Sequence, residues 1–308
     1  MRVLLTGYEG FIGRSLLESQ LIQIDYMMSA SDHKLTFRTC DSPEFQRSFL
    51  LEELDKVLPT DITHILHFGA ITSTISIEAR SMSFFNTSVT NALVDFACKR
   101  GIQLVFASSA AVYGDSPIMK EDHFLNMPRN LYAKSKWDSE RYIEAVCKCE
   151  HLHITTLRLF NIYGRLEERK GAMSSIIWRF LYEANKKKSL EIFQKEGLSL
   201  GSQSRDFVFV DDLISFLQLL LKKGSGTGLI NFGSGKSHSF AHIADLVSFH
   251  VDGLKVEALP IPSEYSNGYQ WYTQADTTKF RTFFPNFEFT PINEGLSQVQ
   301  LHISKVFL

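Results

Sequence analysis

The chain has 308 residues, of which 44% are hydrophobic and 21% charged, with a formal net charge of -2. That length suits one large domain with a smaller companion, and the composition is that of an ordinary globular protein. The small charge excludes the broad basic face that nucleic acid or an anionic membrane requires. The one notable basic run, Lys186, Lys187 and Lys188, reads as a solvated helix end.

The chain opens on Val3-Leu4-Leu5, too short an apolar run for a leader peptide, and no later run approaches a membrane span. The four cysteines are Cys40, Cys98, Cys147 and Cys149. Their spacing fits neither a CxxC redox pair nor a zinc knuckle, so they read as reduced thiols. Together these features predict a cytoplasmic protein without a metal site.

An apolar strand over 2–6 leads into Gly7-Tyr8-Glu9-Gly10-Phe11-Ile12-Gly13, and Ser15 to Leu21 has helical composition. Strand, glycine turn and helix form the entry to a nucleotide-binding βαβ unit. Strands are predicted from Tyr26 to Ala30 and from Leu35 to Arg38, then a helix over 43–58 and a strand over 64–68. A helix around 81–100, a strand over 103–108, a helix around 130–150 and a strand over 155–159 continue the alternation. After residue 163 it weakens: helices are expected near 173–187, 211–222 and 240–250, between short strands at 190–193, 207–210 and 229–232. The pattern predicts an α/β protein, a Rossmann-like doubly wound parallel sheet with a smaller C-terminal substrate-binding domain. Residues 1–163, with returning segments at about 205–250, form the dinucleotide-binding domain in this reading. Residues 164–204 and 251–308 form the substrate-binding domain.

Gly7, Gly10 and Gly13 allow a tight turn and let the backbone approach a pyrophosphate, and the following helix points its amides at that anion. A glycine turn alone is weak; its place after the first strand gives it meaning. Asp32, 19 residues after Gly13, sits at the distance where an acid meets the adenosine ribose. His33, Lys34 and Arg38 just beyond would neutralise a 2′-phosphate, so NAD and NADP both remain open at this point. Asp41 is expected near the adenine, and the loop Phe68-Gly69-Ala70-Ile71-Thr72 along the dinucleotide.

Ser108 and Ser109 close the fifth strand, and Tyr132-Ala133-Lys134-Ser135-Lys136 follows on a helix. Tyr132 and Lys136, four apart, share one helical face. A tyrosine with a pKa of about 10 is a poor base at neutral pH. A nearby ammonium favours its phenolate. Such a pair takes a proton from a sugar hydroxyl while a nicotinamide takes the hydride, with Ser109 holding the reacting oxygen. A YxxxK by itself is equally a helix surface; the glycine turn and the strand-end serine set this one apart.

Over nearly its whole length the chain resembles the extended short-chain dehydrogenase/reductase family. The matching stretches are Thr6 to Gly13, Ser108 to Gly114, Tyr132 to Lys136, Arg158-Leu159-Phe160-Asn161-Ile162-Tyr163-Gly164 and Arg205 to Asp212. The resemblance implies that Phe11, Ile12, Asn86 and Ile162 belong to the cofactor site, that Asn161 touches a sugar-nucleotide and that Arg205 binds its phosphates. The plain alternative for Arg205-Asp206 is a surface ion pair, although arginine is the usual bidentate partner of phosphate. Lys170-Gly171-Ala172-Met173-Ser174-Ser175 and Tyr269 to Asp276 look like the ADP-L-glycero-D-manno-heptose 6-epimerases of lipopolysaccharide biosynthesis. There, a lysine at the position of Lys170 works beside the tyrosine. The alternative is a solvated loop lysine beside Glu167, Glu168 and Arg169.

Inversion at C6 gives a second proton-handling group a purpose. Oxidation leaves a planar ketone, and rotation about C5–C6 presents its other face with the oxygen on the opposite side. Ala172 and Arg179 flank the expected substrate site and, like Glu9, depart from the family's usual residues. Tyr269 belongs to the same substrate set. The resemblance further implies NADP with NAD tolerated, a nucleotide-activated sugar as substrate, and a homo-oligomer. A 4,6-dehydratase is disfavoured, because Ala110 and Ala111 stand where its acid and base belong. A nucleotide-sugar 4-epimerase and a one-way NAD(P)H-dependent sugar reductase are the alternatives, followed by a sugar-nucleotide sensor without turnover.

Overall fold

The structure is a computed structural model, described here for residues 1–29, 43–72, 79–122, 126–149, 153–194, 196–224, 226–261 and 269–307. Asp32, Asp41, the cations at 33–38 and the strand expected there lie outside these residues. Strand β1 (Val3–Thr6) runs into helix α1 (Phe11–Ser19), followed by β2 (Tyr26–Met28), α2 (Pro43–Val57) and β3 (His64–His67). Next come α3 (Ala79–Met82), a π-helical segment Ser83–Ser88, α4 (Val89–Arg100), β4 (Gln103–Ser109), α5 (Leu131–Cys149) and β5 (Ile154–Leu159). Then β6 (Asn161–Tyr163), α6 (Ile176–Lys187), β7 (Ser189–Gln194), β8 (Ser204–Phe209) and α7 (Val210–Lys223) follow. The chain ends with β9 (Gly228–Phe232), β10 (Ser237–Ser239), α8 (Phe240–Ser248), β11 (Lys255–Pro260), a short helix Thr278–Phe283 and the helix Ile292–Phe307.

Two compact units divide the chain. The first comprises Met1–Gly114, Leu125–Arg158 and Ile214–Ile230. Its six-stranded sheet has the order β2-β1-β3-β4-β5-β9. β1 pairs in parallel with both β2 and β3, and β3 with β4. Strand order therefore reverses beside β1, where ligands of such sheets bind beyond the carboxyl ends. Every residue of β1 and β5 is buried, as expected for strands covered on both faces. Leu54, Leu93 and Phe96 of the helices pack with Leu4, Ile65 and Leu104 of the sheet. Each such side chain contributes roughly 1.5–3 kcal/mol of burial.

The second unit comprises Asp115–Phe124, Leu159–Leu213 and Asn231–Leu308. It holds a three-stranded sheet, β10-β8-β6, and a two-stranded one, β11-β7. Its core joins Phe180 and Leu181 of α6, Phe207 and Phe209 of β8, Ile243 and Val247 of α8, and Leu296 and Val299 of the last helix. β8 begins at Ser204, three residues before the expected strand. The polar run Ser204 to Asp206 reads as loop, but its polar groups are satisfied within the protein. Helix α6 starts at Ile176 rather than 173, because the Ser175 hydroxyl caps it, accepting from Trp178 N–H at 3.2 Å.

Candidate active site

The glycine turn needs its glycines. Gly7 has φ +73°, and a Cβ there would lie 2.5 Å from the Gly69 nitrogen. A Cβ on Gly13 would meet the Gly7 carbonyl oxygen and Tyr8. No side chain caps α1 at Gly10, which leaves its first amides for an anion. A cavity of about 280 Å³ opens here, lined by Gly7, Gly10, Phe68, Gly69 and Ala70 as the motif predicts. Glu9 lines it too, whereas Phe11 is buried in the turn. This cradle fits a dinucleotide.

Ile71 of the expected loop lines the cavity as well, whereas sequence reasoning missed several lining residues: Met28, Ser29, His67, Phe85 and Val89. Met28 and His67 close the strands that flank β1, a positional signal that could have found them. Asn86 is fully buried on the π-helical segment. Its Oδ1 accepts from Ile71 N–H at 2.8 Å, and its amide donates to the Ile71 carbonyl at 2.9 Å. It therefore supports the cavity loop through the backbone.

Ser109, Tyr132 and Lys136 come together in this unit. Ser109 ends β4, and its hydroxyl accepts from Ala111 N–H at 3.1 Å. Burial pushes the Tyr132 phenol above its ordinary pKa, and a hydrogen bond from Ser109 opposes the rise. Lys136 lies 6.0 Å from the Tyr132 ring centroid, and its Nζ donates to the Ala107 carbonyl at 2.8 Å. Burial pulls the lysine down to about 7, while Glu140 opposes that fall. At Tyr132, burial thus outweighs the help from the Ser109 hydrogen bond.

Glu140 itself was missed. It lies one turn beyond Lys136 and is buried with Arg158, whose Nε and Nη2 donate to it at 3.0 and 2.6 Å. Ser108 donates to the same carboxylate. The buried pair anchors the strand end to α5, and breaking it from one side would cost about 3–5 kcal/mol.

In the second unit Lys170 lies in a 3₁₀ turn, Glu168–Met173. Its Nζ donates to Glu167 Oε2 at 2.9 Å. Glu167 is fully buried and also accepts from Gly164 N–H at 3.0 Å, Ser175 N–H at 2.6 Å and the Ser175 hydroxyl at 2.7 Å. Lys170 is therefore held by its neighbour rather than loosely solvated. Ala172 is exposed in the same turn, and Arg179 is half-buried on α6.

Arg205 is buried, with its guanidinium 5.5 Å from the ring centres of both Phe240 and Tyr269. It donates to the carbonyls of Ser204 and Gln270. Burial lowers its pKa and raises that of Tyr269, where Arg205 and Arg179 oppose the rise. The surface ion-pair reading of Arg205-Asp206 falls, because Asp206 is buried and occupied elsewhere. It accepts from the amides of Ser234, Gly235 and Ala275 at 2.8, 2.9 and 3.0 Å. Asn161 and Ile162 lie on β6 beside β8, and Asn161 Oδ1 accepts from the Thr273 hydroxyl at 3.0 Å. Arg179, Arg205 and Tyr269 thus gather in one place, with Asn161 on the neighbouring strand. Among the described residues no group of acidic, histidine or cysteine side chains could hold a metal ion, and no helix is long and apolar enough to cross a membrane.

Comparison with known proteins places this geometry in context. The sequence pattern of the NAD dependent epimerase/dehydratase family matches residues 3–251. The ADP-L-glycero-D-manno-heptose-6-epimerase of Brachyspira hyodysenteriae is 28% identical over 96% of each chain. Among solved structures, the heptose-6-epimerase of Helicobacter pylori superposes with a TM-score of 0.79 at 21% identity, over 99% of this chain and 96% of that one. The UDP-glucose 4-epimerase of Thermus thermophilus, solved with NAD, superposes with a TM-score of 0.77 at 22% identity, over 99% of this chain and 100% of that one.

Proposed function

Since the chain belongs to the NAD dependent epimerase/dehydratase family, we propose that it inverts an alcohol carbon of a nucleotide-activated sugar, and that this carbon is C6 of a heptose. The observation that carries the reading is the joint presence of a cradle for a dinucleotide, the Ser109–Tyr132–Lys136 cluster and a lysine held by a buried carboxylate. The heptose epimerase likeness over 96% of the chain supports the choice of sugar. A dinucleotide held in the cradle of Gly7, Gly10 and Gly69 would supply the hydride acceptor and donor.

The chain's own residues handle the rest. Tyr132 takes the proton of the alcohol, with Ser109 hydrogen-bonded to the reacting oxygen and Lys136 holding positive charge beneath. The resulting ketone turns its other face. Lys170, as an ammonium, gives one of its own protons to the oxygen on that side as the alcohol re-forms, while Tyr132 keeps the proton it took. Arg205, Arg179, Tyr269 and Asn161 bind the nucleotide-sugar, the arginines facing its phosphates. Asp32 and the family description favour NAD over NADP.

Lys170→Met tests the reading. It should reduce inversion of a nucleotide heptose by about two to four orders of magnitude and leave dinucleotide affinity unchanged. Incubation with a small panel of nucleotide heptoses and hexoses, followed by NMR, reads the product. Normal inversion by the variant, or inversion at C4 of a hexose instead, overturns the heptose mechanism in favour of a 4-epimerase.

A further inference from the structure

Buried polar groups beneath the dinucleotide cavity form a circuit that neither the glycine turn nor the Tyr-Lys pair explains. Gly69 N–H donates to Thr6 Oγ1 at 3.1 Å. Thr6 Oγ1 lies 2.6 Å from Nδ1 of His67, and Nε2 of His67 lies 2.9 Å from Thr90 Oγ1. Thr90 donates to the Asn86 carbonyl at 2.5 Å. The Asn86 side chain returns to the same loop, at Ile71. Both ends of the circuit, Gly69 and Ile71, line the cavity. Thr6, His67, Asn86 and Thr90 are all buried.

Counting protons leaves one arrangement. The Asn86 carbonyl has none to give, so its bond with Thr90 uses the threonine's single hydroxyl proton. The Thr90 oxygen must then accept from His67, and Nε2 carries the ring proton. Nδ1 is left as an acceptor, and the Thr6 hydroxyl, already accepting from Gly69, donates to it. A proton on Nδ1 instead would leave the Thr6 hydroxyl proton without that acceptor. It would also face two lone pairs at Thr90. An imidazolium fails at Thr6 for the same reason.

We infer that His67 is a positioning residue for the dinucleotide: a neutral imidazole, protonated on Nε2, that closes a ring of hydrogen bonds under residues 68–71 and holds the backbone the cofactor meets. The inference rests on the cavity being the dinucleotide site. The circuit reaches further, since the Asn86 amide also donates to Ser135 Oγ at 3.1 Å. Ser135 in turn donates to the Tyr132 carbonyl at 2.8 Å. One network therefore spans the cofactor loop and the helix turn bearing Tyr132 and Lys136. A histidine that merely fills the core would have no such reach.

Thr90 does not line the cavity, which makes it the cleaner probe. Thr90→Val keeps the shape and removes the acceptor of the ring proton. Thr90→Ser keeps the hydroxyl. NAD titrated into each folded full-length protein should show Kd raised about tenfold for the valine variant and within about twofold for serine, the scale of one lost buried hydrogen bond. Independently of any variant's folding, nitrogen-15 NMR of the wild-type imidazole of His67 should show the proton on Nε2. A valine variant that is folded and binds NAD as the wild type does, or a wild-type ring protonated on Nδ1, overturns the inference and leaves the epimerase reading intact. A wild type that binds no dinucleotide removes both.

Discussion

Tyr132 meets opposing influences at the single atom on which the proposed chemistry turns. Burial raises its phenol, Ser109 lowers it, and Lys136 is engaged with Ala107. Tyr132→Phe keeps the ring and removes only the proton carrier. Its turnover should fall by about two to four orders of magnitude with an unchanged melting temperature. Turnover near the wild-type rate would take the base role away from Tyr132. His67 carries a different prediction, on stability. Burial, helped by Lys136, lowers its pKa from 6.5 to about 3. In the unfolded chain it protonates near pH 6.5, so between that pH and about 3 the unfolded state binds the extra proton. The contribution is complete above pH 6.5 and is lost as the pH falls toward 3, the loss reaching on the order of 5 kcal/mol. Urea unfolding from pH 7 to 4 should therefore weaken the wild type more steeply than a His67→Gln variant. Parallel curves would show that the ring is charged inside the fold.

The first strand-turn-helix element shows how little space its glycine turn leaves. Gly13 sits within the first turns of α1, and any Cβ there points at the backbone of Gly7 and Tyr8. Gly13→Ala should push α1 away from β1 and weaken NAD binding by roughly tenfold or more, with a folded protein by circular dichroism. Unchanged affinity would mean that the dinucleotide does not use this turn. The segment before α4 tells a complementary story. A π-helical run places Asn86 so that it meets Ile71, 15 residues earlier, and Ser135, 49 residues later. Such runs recur at functional sites because they re-aim one side chain within a helix. A helical periodicity from 81 to 100 indicates the helix, but the local change of pitch depends on what packs around it.

For the whole molecule, epimerisation demands that the hydride leaving the substrate return to it, so a cofactor that stays bound suits the reaction. The purified protein should carry dinucleotide, released on denaturation and identified as NAD rather than NADP, and should turn over without added cofactor. Stoichiometric oxidation of NADPH with an empty site after purification would instead identify a one-way reductase. The division into two units accords with this economy of roles. One carries the cradle and the Ser109–Tyr132–Lys136 cluster, and the other carries Lys170, Arg179, Arg205 and Tyr269.

The sequence by itself determined the parallel sheet, the glycine turn and the Tyr-Lys pair, because each is written in local spacing: apolar runs for buried strands, glycines where no Cβ fits, and four residues for one helical face. The family resemblance, rather than local spacing, pointed to Asn86, Lys170 and Arg205. The sequence did not reveal that Ser204 to Asp206 belong to a strand, since polar residues look like loop until their partners are known. Nor did it mark His67, Glu140 or Glu167. Thr6 and His67 are 61 residues apart, and His67 and Thr90 are 23 apart. Only the tertiary structure decided these, because a buried polar side chain takes its protonation and its purpose from the partners that folding brings to it, and those partners leave no period in the chain.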